Sequence, residues 1–366
     1  MITNDTLEEA RDQGVVSSSP KRPGISNQFL QNAGIHHVTA TQAKSLCGLN
    51  KPGLWIPYFD LNGQPIQDKY GDYGRLRLDQ PEGGHKYHQR TGTGVHAHLP
   101  PGLRDTPQRA DLIVVEGEFK AASLVEAGFP AVGASGFYGF ANNDGDLVEE
   151  LADAICLLKP NRILFLGDDD TTFNWQFSDA AIKFARLVDI PILLPRIPLN
   201  SLGKGVDDIK ESMGAEFPDW WRGQINKAEP ISDKSTPQDL ALKLITREKE
   251  SIKAVKVSIE DKATKKFIEM AAWMEARPIE QDKLIQLTEE VFGMKRNPIK
   301  KAINQFLAQR KKDHQKKNPR PKPEQSKTRY YLPSSKAYFT TDSHGNFIEI
   351  SERTGQRQLF FLIDDN

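Results

Sequence analysis

Three short apolar runs, each followed by acidic residues, constrain the fold of this chain most strongly. The runs span residues 112–115, 163–166 and 192–194. A short run of consecutive apolar residues is typical of a strand that is buried on both faces of a parallel sheet. We therefore predict an α/β domain in which successive parallel strands carry acidic residues at their carboxyl ends, the edge of such sheets where ligands bind.

The acidic residues at the strand ends predict a divalent cation. Glu116 follows the first run, Asp168 and Asp170 follow the second, and Asp207 and Asp208 follow the third after a Gly-Lys-Gly turn. Carboxylates that meet at one edge repel each other unless a cation neutralises them. Mg²⁺ is the expected ion and Mn²⁺ the alternative, because hard divalent ions prefer carboxylate oxygens. Such a site is suited to phosphoryl transfer.

The same segment resembles a known family of domains. Its motifs read EGEFKAASLVEAGFPAVGASG at 116–136, GDDDTTFN at 167–174 and GKGVDDI at 203–209. In this order they resemble the TOPRIM domain shared by topoisomerases, bacterial-type primases and some nucleases. The resemblance is strongest to the variant in replication proteins of phages, plasmids and integrated elements.

This resemblance implies roles for the acidic residues. Glu116, Asp168 and Asp170 would be the catalytic acids that surround Mg²⁺. Asp207 or Asp208 would assist, either as an outer ligand or by orienting a neighbouring lysine. Taken singly, each acid could instead cap a helix or lie in a solvated turn, and only the order of the motifs favours the metal site.

Basic residues near these motifs are candidates for binding nucleotide or DNA. Arg75 and Arg77 alternate with leucines, so on a strand both guanidinium groups would project from one face and match phosphate oxygens. Lys86 follows shortly after, and Lys120 and Lys204 lie beside the acidic motifs. The last two could neutralise substrate phosphates or pair with the surrounding acids. The arginine-bearing strand could equally have an ordinary solvated face.

Cysteine and histidine give no further metal site. Two cysteines are too few for a disulfide framework or a Cys-rich zinc module. Zinc needs three or four converging ligands, so we interpret four histidines between the arginines and the acidic motifs as surface residues. They are His85, His88, His96 and His98.

The predicted architecture is a TOPRIM-type parallel sheet flanked by helices, preceded by a small α+β region and followed by a helical domain and a short β tail. The helical domain would be a helix-turn-helix unit or a small bundle that docks a partner protein. The predicted segments are a flexible tail at 1–27, the α+β region at 28–105, the TOPRIM domain at 106–225, a linker at 226–236, the helical domain at 237–314, a basic linker at 315–329 and a small β element at 330–366.

The net charge of zero hides a strong asymmetry. Between residues 295 and 329, thirteen Lys and Arg face two acidic residues, which gives a local charge of about +11. Such a block often contacts polyanions, although a role in solubility is an equal alternative. No apolar run approaches the length of a bilayer crossing and the polar start is not a signal peptide, so we expect a cytoplasmic protein without membrane contact.

These observations predict a primase-like nucleotidyltransferase of a mobile genetic element, which synthesises RNA primers on single-stranded DNA from ribonucleotides. The sequence contains no Gly-x-x-x-x-Gly-Lys-Ser/Thr phosphate loop, so a separate replicative helicase is the expected partner. One alternative is a Mg²⁺-dependent nuclease built on the same domain. The other is a non-catalytic DNA-binding adaptor for a helicase.

Overall fold

The chain folds as two compact units that divide between Asn304 and Gln305. A computed structural model describes residues 22–199, 202–317, 330–332, 337–341, 347–350 and 357–359. Most of the predicted tail (1–21) and most of the predicted basic linker (318–329) lie outside the described residues.

The first unit contains strands and helices in alternation. Its strands are β1 (His36–Val38), β2 (Gly53–Pro57), β3 (Gln67–Asp68), β4 (Gly71–Asp72), β5 (Gly74–Glu82), β6 (His85–His88), β7 (Leu112–Glu116), β8 (Ala131–Ala134), β9 (Ile163–Leu166), β10 (Ile192–Leu194) and β11 (Glu229–Ile231). Its helices are α1 (Asn27–Asn32), α2 (Ala40–Cys47), α3 (Glu118–Glu126), α4 (Glu149–Leu158), α5 (Trp175–Leu187), α6 (Val206–Met213), α7 (Phe217–Asn226), α8 (Pro237–Trp273), α9 (Pro278–Phe292) and the start of α10 (Arg296–Lys317).

A five-stranded sheet in the order β11, β10, β9, β7, β8 forms the centre of this unit. The last four of these strands are parallel, and β11 pairs antiparallel at one edge. All residues at 112–115 and 163–166 are buried, because α4, α5 and α8 cover one face of the sheet and α3, α6 and α7 cover the other. The predicted α/β fold class, with a mostly parallel sheet flanked by helices, is confirmed.

A second, antiparallel sheet in the order β1, β2, β5, β6 precedes the parallel one. Leu76 and Leu78 of β5 pack against Trp55 in a small core. Arg75 and Arg77, which alternate with these leucines, therefore project from the opposite face. A turn with Gly63 in the left-handed region follows β2. After this turn the chain forms only a single bridge, between Phe59 and Pro65, and β2 pairs with β5.

The long helix α8 connects the helical region to the parallel sheet. Thr236 and Asp239 cap its amino terminus reciprocally, so the helix begins where a linker was predicted to end. Its carboxyl-terminal part packs on the sheet domain. The ring centres of Phe267 and Phe173 lie 5.4 Å apart, and Trp273 stacks on Trp175 with ring centres 5.2 Å apart. The region up to residue 304 therefore belongs to the same compact unit as the sheet, which differs from the separate helical domain predicted at 237–314. Across the described helices, none combines the length and apolarity of a membrane crossing.

Residues 22–26, which we predicted as part of a flexible tail, are packed against the first unit. The Gly24 N–H donates to the Glu211 carboxylate at 2.8 Å, and the Ser123 hydroxyl donates to the Gly24 carbonyl at 3.1 Å. A methyl group on Gly24 would lie 2.3 Å from the Asp207 carbonyl oxygen. Glycine therefore allows this segment to contact α6, and composition alone gave no signal of that contact.

The second unit contains a four-stranded antiparallel sheet within the segment 330–366, for which we predicted a small β element. The strands pair in sequence order. They are β12 (Tyr330–Leu332), β13 (Ala337–Thr341), β14 (Phe347–Ile350) and β15 (Arg357–Leu359).

Candidate functional site at the carboxyl edge of the parallel sheet

Three of the predicted acids follow neighbouring strands of the sheet. Glu116 is the last residue of β7, and Asp168 and Asp170 follow β9. Because β7 and β9 are parallel and Val115 lies opposite Leu166, the three acids reach the same edge. We call this edge the acidic rim, comprising Glu116, Asp168, Asp170 and Asp207 together with Lys120 and Lys204.

A glycine turn leads from Glu116 into α3. Gly117 has a φ of 101°, in the region that side chains disfavour, so glycine is the residue that this turn requires. The turn starts α3 directly after the strand. It places Glu118 and Lys120 in the first turn of that helix, next to the rim.

The acidic segment that follows β9 forms a tight helical turn. Asp169–Phe173 is a 3₁₀ turn, and Asp168 precedes it in extended backbone. The Thr171 hydroxyl donates to the Asp168 carbonyl at 2.8 Å. A methyl group on Gly167 would lie 2.1 Å from the Thr171 side chain, which explains the glycine before the acids. The Asp169 N–H donates to the Lys204 carbonyl at 3.0 Å, so this motif is tied to the Gly-Lys-Gly turn.

Both lysines of the acidic rim pair with its acids. The Lys120 ammonium forms an ion pair with Asp168 Oδ1. The Lys204 ammonium lies 3.6 Å from Asp168 Oδ2 and 3.5 Å from Asp170 Oδ2. The Lys120 side chain is 18% exposed and that of Lys204 is 56% exposed. Of the two roles left open for the lysines, the structure displays pairing with acids.

The rim retains an excess of negative charge. Burial raises the pKa of Glu116. The neighbouring carboxylates of Asp168 and Asp170 raise this pKa further, and Lys120 and Lys204 lower it without cancelling the shift. Burial also raises the pKa of the Asp207 carboxyl, against the opposing effect of Lys120. Burial acts to lower the pKa of Lys120, but the surrounding carboxylates outweigh it and the pKa is raised. The lysines therefore offset the acids incompletely.

The geometry suits a cation bound by two carboxylates better than one bound by three. Among the described residues, no three His, Cys, Asp or Glu side chains are grouped closely enough to hold a metal ion together. The predicted ligand set of Glu116, Asp168 and Asp170 is therefore not assembled around one point, and the Lys120 ammonium lies among its members. A cation can approach Asp168 and Asp170 together, since the Lys204 ammonium lies 3.6 and 3.5 Å from one oxygen of each. Mg²⁺ commonly takes only one or two carboxylates and keeps its waters.

The acid pair at the start of α6 divides between two tasks. The Asp208 carboxylate accepts a hydrogen bond from the Gly205 N–H at 3.2 Å, so it caps its own helix where a metal-ligand role was expected. Asp207 is buried and approaches Lys120 near Gly205: a methyl group on Gly205 would lie 2.5 Å from Asp207 Oδ1 and 2.9 Å from Lys120 Cε. Asp207 therefore belongs to the acidic rim and Asp208 does not.

Arg75 of β5 is committed to a buried ion pair. Its Nη1 donates to Glu118 Oε1 at 2.6 Å, and the Tyr58 hydroxyl donates to the same oxygen at 2.8 Å. The side chains of Arg75 and Glu118 are 13% and 1% exposed. Burial opposes the ionisation of Glu118, but Arg75 and Tyr58 outweigh it and hold the pKa below its usual value. Arg75 was predicted to bind nucleotide or DNA, and its charge is instead used to fix the first turn of α3.

Arg77 and Tyr87 remain available beside Arg75. The guanidinium carbons of Arg75 and Arg77 lie 4.9 and 6.0 Å from the centre of the Tyr87 ring, and no ion pair of Arg77 occurs within the described residues. We call Arg75, Arg77 and Tyr87 the arginine face. Lys86 is exposed, and strand alternation places it on the opposite side of β6 from Tyr87. The structure therefore does not bring Lys86 to the arginine face.

One basic residue near these groups was missed by the sequence analysis. The guanidinium carbon of Arg22 lies 4.3 Å from the centre of the Phe119 ring. Burial lowers the pKa of Arg22, and the nearby charge of Arg77 lowers it further. The only sequence signal was the Pro-Gly turn that follows Arg22, and the polar composition of the tail outweighed it.

Of the four histidines that we interpreted as surface residues, His85 is exposed, His88 and His96 are partly buried, and His98 is fully buried. His98 is 2% exposed, and its backbone exchanges two hydrogen bonds with Gly133. Burial lowers the pKa of His98 to about 4. His96 Nδ1 lies 2.7 Å from a carboxylate oxygen of Glu150. The segment 96–98 is therefore an inner part of the fold. The interpretation was wrong for His98, because its backbone adds an isolated bridge to the edge of the parallel sheet at β8.

Among known proteins, similarity to this chain occurs in solved structures. No protein-family model matches the chain. No curated protein matches it either. Among solved structures, it is similar to one described as "Crystal Structure of the Aquifex aeolicus primase (Zinc Binding and RNA Polymerase Domains)", with 12% sequence identity and a TM-score of 0.41, over 81% of this chain and 70% of that chain.

Proposed function

We propose that this chain is a primase-like nucleotidyltransferase that joins ribonucleotides into RNA primers on single-stranded DNA. The observation that carries the proposal is the acidic rim, where carboxylates from β7, β9 and α6 meet two lysines at the carboxyl edge of a parallel sheet. The resemblance of the three motifs to TOPRIM domains of mobile-element replication proteins supports the reaction class and the host element. A separate replicative helicase would be the partner.

In this proposal each group at the rim has a distinct role. Asp168 and Asp170 would hold Mg²⁺, or Mn²⁺ as the alternative, and a bound ion would stabilise charge on the phosphoryl group. Glu116, whose burial and acidic neighbours favour proton uptake, would accept a proton from the attacking hydroxyl. Lys204, which is exposed, would contact substrate phosphates when displaced from the acids.

The arginine face would hold the nucleic acid. Arg77 carries a guanidinium without an ion pair among the described residues, and such a fork matches phosphate oxygens. Tyr87 beside it offers a ring on which a base stacks. Arg75 would act indirectly, by fixing Glu118 and with it the turn that carries Glu116.

Incorporation of labelled ribonucleotides on single-stranded DNA, with and without Mg²⁺, tests this function. We expect Asp168→Ala and Glu116→Ala to abolish primer synthesis while the circular dichroism spectrum stays unchanged. Asp153→Ala is the matched control, because Asp153 is an exposed acid on α4, and it should retain full activity. Equal synthesis by wild type and both rim variants would refute the proposal. Cleavage of plasmid DNA with Mg²⁺ and no nucleotides would identify a nuclease instead.

A non-catalytic adaptor for a helicase is the second candidate. It is favoured by the Lys120–Asp168 ion pair and by the lack of a three-ligand metal group among the described residues. An adaptor would bind single-stranded DNA through the basic region 295–329, with affinity that falls steeply with salt and does not depend on metal. Tight binding in EDTA together with no primer synthesis would favour this function.

A further inference from the structure

The two oxygens of Asp168 face two different lysines. Oδ1 pairs with the Lys120 ammonium, and Oδ2 lies 3.6 Å from the Lys204 ammonium. The Lys120 Cε packs against Gly205, which has no side chain to occupy that space. Asp207 Oδ1 approaches the same glycine, so Lys120 lies between two carboxylates at the inner side of the rim.

Lys204 is more exposed than Lys120, lies farther from the carboxylates that it faces, and is carried by a turn. Its side chain is more than half exposed, and its ammonium lies 3.5 Å or more from both carboxylate oxygens that it faces. It projects from a glycine-flanked turn, whereas Lys120 projects from the first turn of a helix. An exposed lysine pair of this kind is weak and readily exchanged for another cation.

We propose that Lys120 is a built-in cation that takes the place of one metal ion, so that the acidic rim binds a single divalent cation between Asp168 and Asp170 in competition with Lys204. Phosphoryl-transfer sites often use two metal ions that share carboxylates. Here the inner position of such a pair is filled by an ammonium group of this chain. The inference rests on the proposed function, from which the identity of the ion is taken.

Counting Mn²⁺ ions bound to the full chain tests this inference. Free Mn²⁺ is measured by electron paramagnetic resonance during a titration, and ions lost in the Asp168→Ala variant are assigned to the rim. We expect one rim ion in the wild type. Lys204→Ala should tighten its binding by about two- to fivefold, because a weak competing charge is removed. Lys120→Met keeps the aliphatic stem, removes the charge and should admit a second ion.

A matched control separates this effect from a general change in surface charge. Lys183 pairs with Asp179 on α5, and its side chain is 57% exposed, close to the exposure of Lys204. Lys183→Ala should therefore leave the number and affinity of the rim ions unchanged. If Lys120→Met does not fold, the wild-type count and the Lys204→Ala titration still test the proposal.

The outcomes distinguish this inference from the proposed function. Two rim ions in the wild type, or unchanged affinity in Lys204→Ala, would overturn the inference while leaving primer synthesis intact. One ion in folded Lys120→Met with unchanged affinity would overturn it as well. One rim ion in the wild type, tighter in Lys204→Ala and without any primer synthesis, would support the inference and refute the function. No rim ion in any variant would refute both.

Discussion

The acidic rim and the arginine face each contain two basic residues, and in each region only one of the two is free to meet a ligand. In the rim, Lys120 is largely buried against Asp168 and Lys204 is exposed. On the arginine face, Arg75 is buried against Glu118, and Arg77 has no ion pair within the described residues. The residue type is the same within each pair, so the difference arises from the neighbouring residues.

This comparison shows how burial divides structural from functional charge. A buried cation that is paired with a carboxylate cannot also contact a substrate. Removing the cation leaves the carboxylate buried without a partner of opposite charge. An exposed cation contributes little to stability and can move toward a phosphate. Arg75 and Lys120 should therefore affect the fold, and Arg77 and Lys204 should affect ligands.

The largest expected effect is on stability, and it separates the two arginines. Arg75→Ala leaves the carboxylate of Glu118 buried without its cation, which costs about 3–5 kcal/mol of the free energy of unfolding. Arg77→Ala removes a side chain without an ion pair and should change it by about 0.5 kcal/mol or less. Urea unfolding followed by tryptophan fluorescence measures both, since all five tryptophans lie in the first unit.

Equal unfolding midpoints for the two arginine variants would contradict the claim that Arg75 stabilises the fold and Arg77 does not. Glu118→Gln provides a second variant, because it keeps the shape of the side chain and removes the charge that Arg75 faces. It should also be destabilised, whereas Arg75→Ala combined with Glu118→Gln should be less destabilised than the sum of the single changes. Additive effects would mean that the ion pair is not the source of the stabilisation.

The sequence predicted the parts of this site that depend on strand order. The carboxyl ends of parallel strands lie at one edge of the sheet, so the apolar runs were sufficient to predict that Glu116 and Asp168 lie at the same edge. The alternation of arginine and leucine likewise predicted a shared face for Arg75 and Arg77. These inferences hold because side-chain direction and strand polarity are local properties that follow from the pattern of residues.

The sequence could not predict which charges pair across distant segments. Glu118 lies two residues after Glu116 and was not singled out, yet it is the partner of Arg75, 43 positions away. The cap formed by Asp208 and the burial of His98 depend on the loops that surround them. Pairings of this kind depend on how distant elements pack, and such long-range contacts leave no periodic pattern in the sequence.

A pH-dependent effect of intermediate size should come from His98, whose ring packs edge-on against Tyr58, the residue that donates a hydrogen bond to Glu118. Burial lowers its pKa to about 4, below the value of about 6.5 in an unfolded chain. Between these values the unfolded chain binds a proton that the native state does not, so stability rises with pH across this window and is lost as pH falls. The loss at pH 4 should reach at most ~3 kcal/mol.

Unfolding of wild type and His98→Gln at pH 8, 7, 6, 5 and 4 measures this contribution. The difference in unfolding free energy between the two proteins should change between pH 6.5 and 4 and stay constant above pH 7. His85→Gln is the control, because His85 is exposed, and its difference from wild type should not vary. A constant difference for His98→Gln would show that His98 takes up a proton equally readily in the folded and in the unfolded chain.

The smallest expected effect concerns binding and sharpens the role of Arg77. If the arginine face contacts single-stranded DNA, Arg77→Ala should weaken binding and reduce the slope of log affinity against log salt by about 0.7, the value for one phosphate contact. Lys86→Ala should change neither quantity, because Lys86 projects from the opposite side of β6. Equal losses in both variants would mean that DNA responds to overall charge, and the distinction between a structural and a ligand-binding arginine would then have no bearing on recognition.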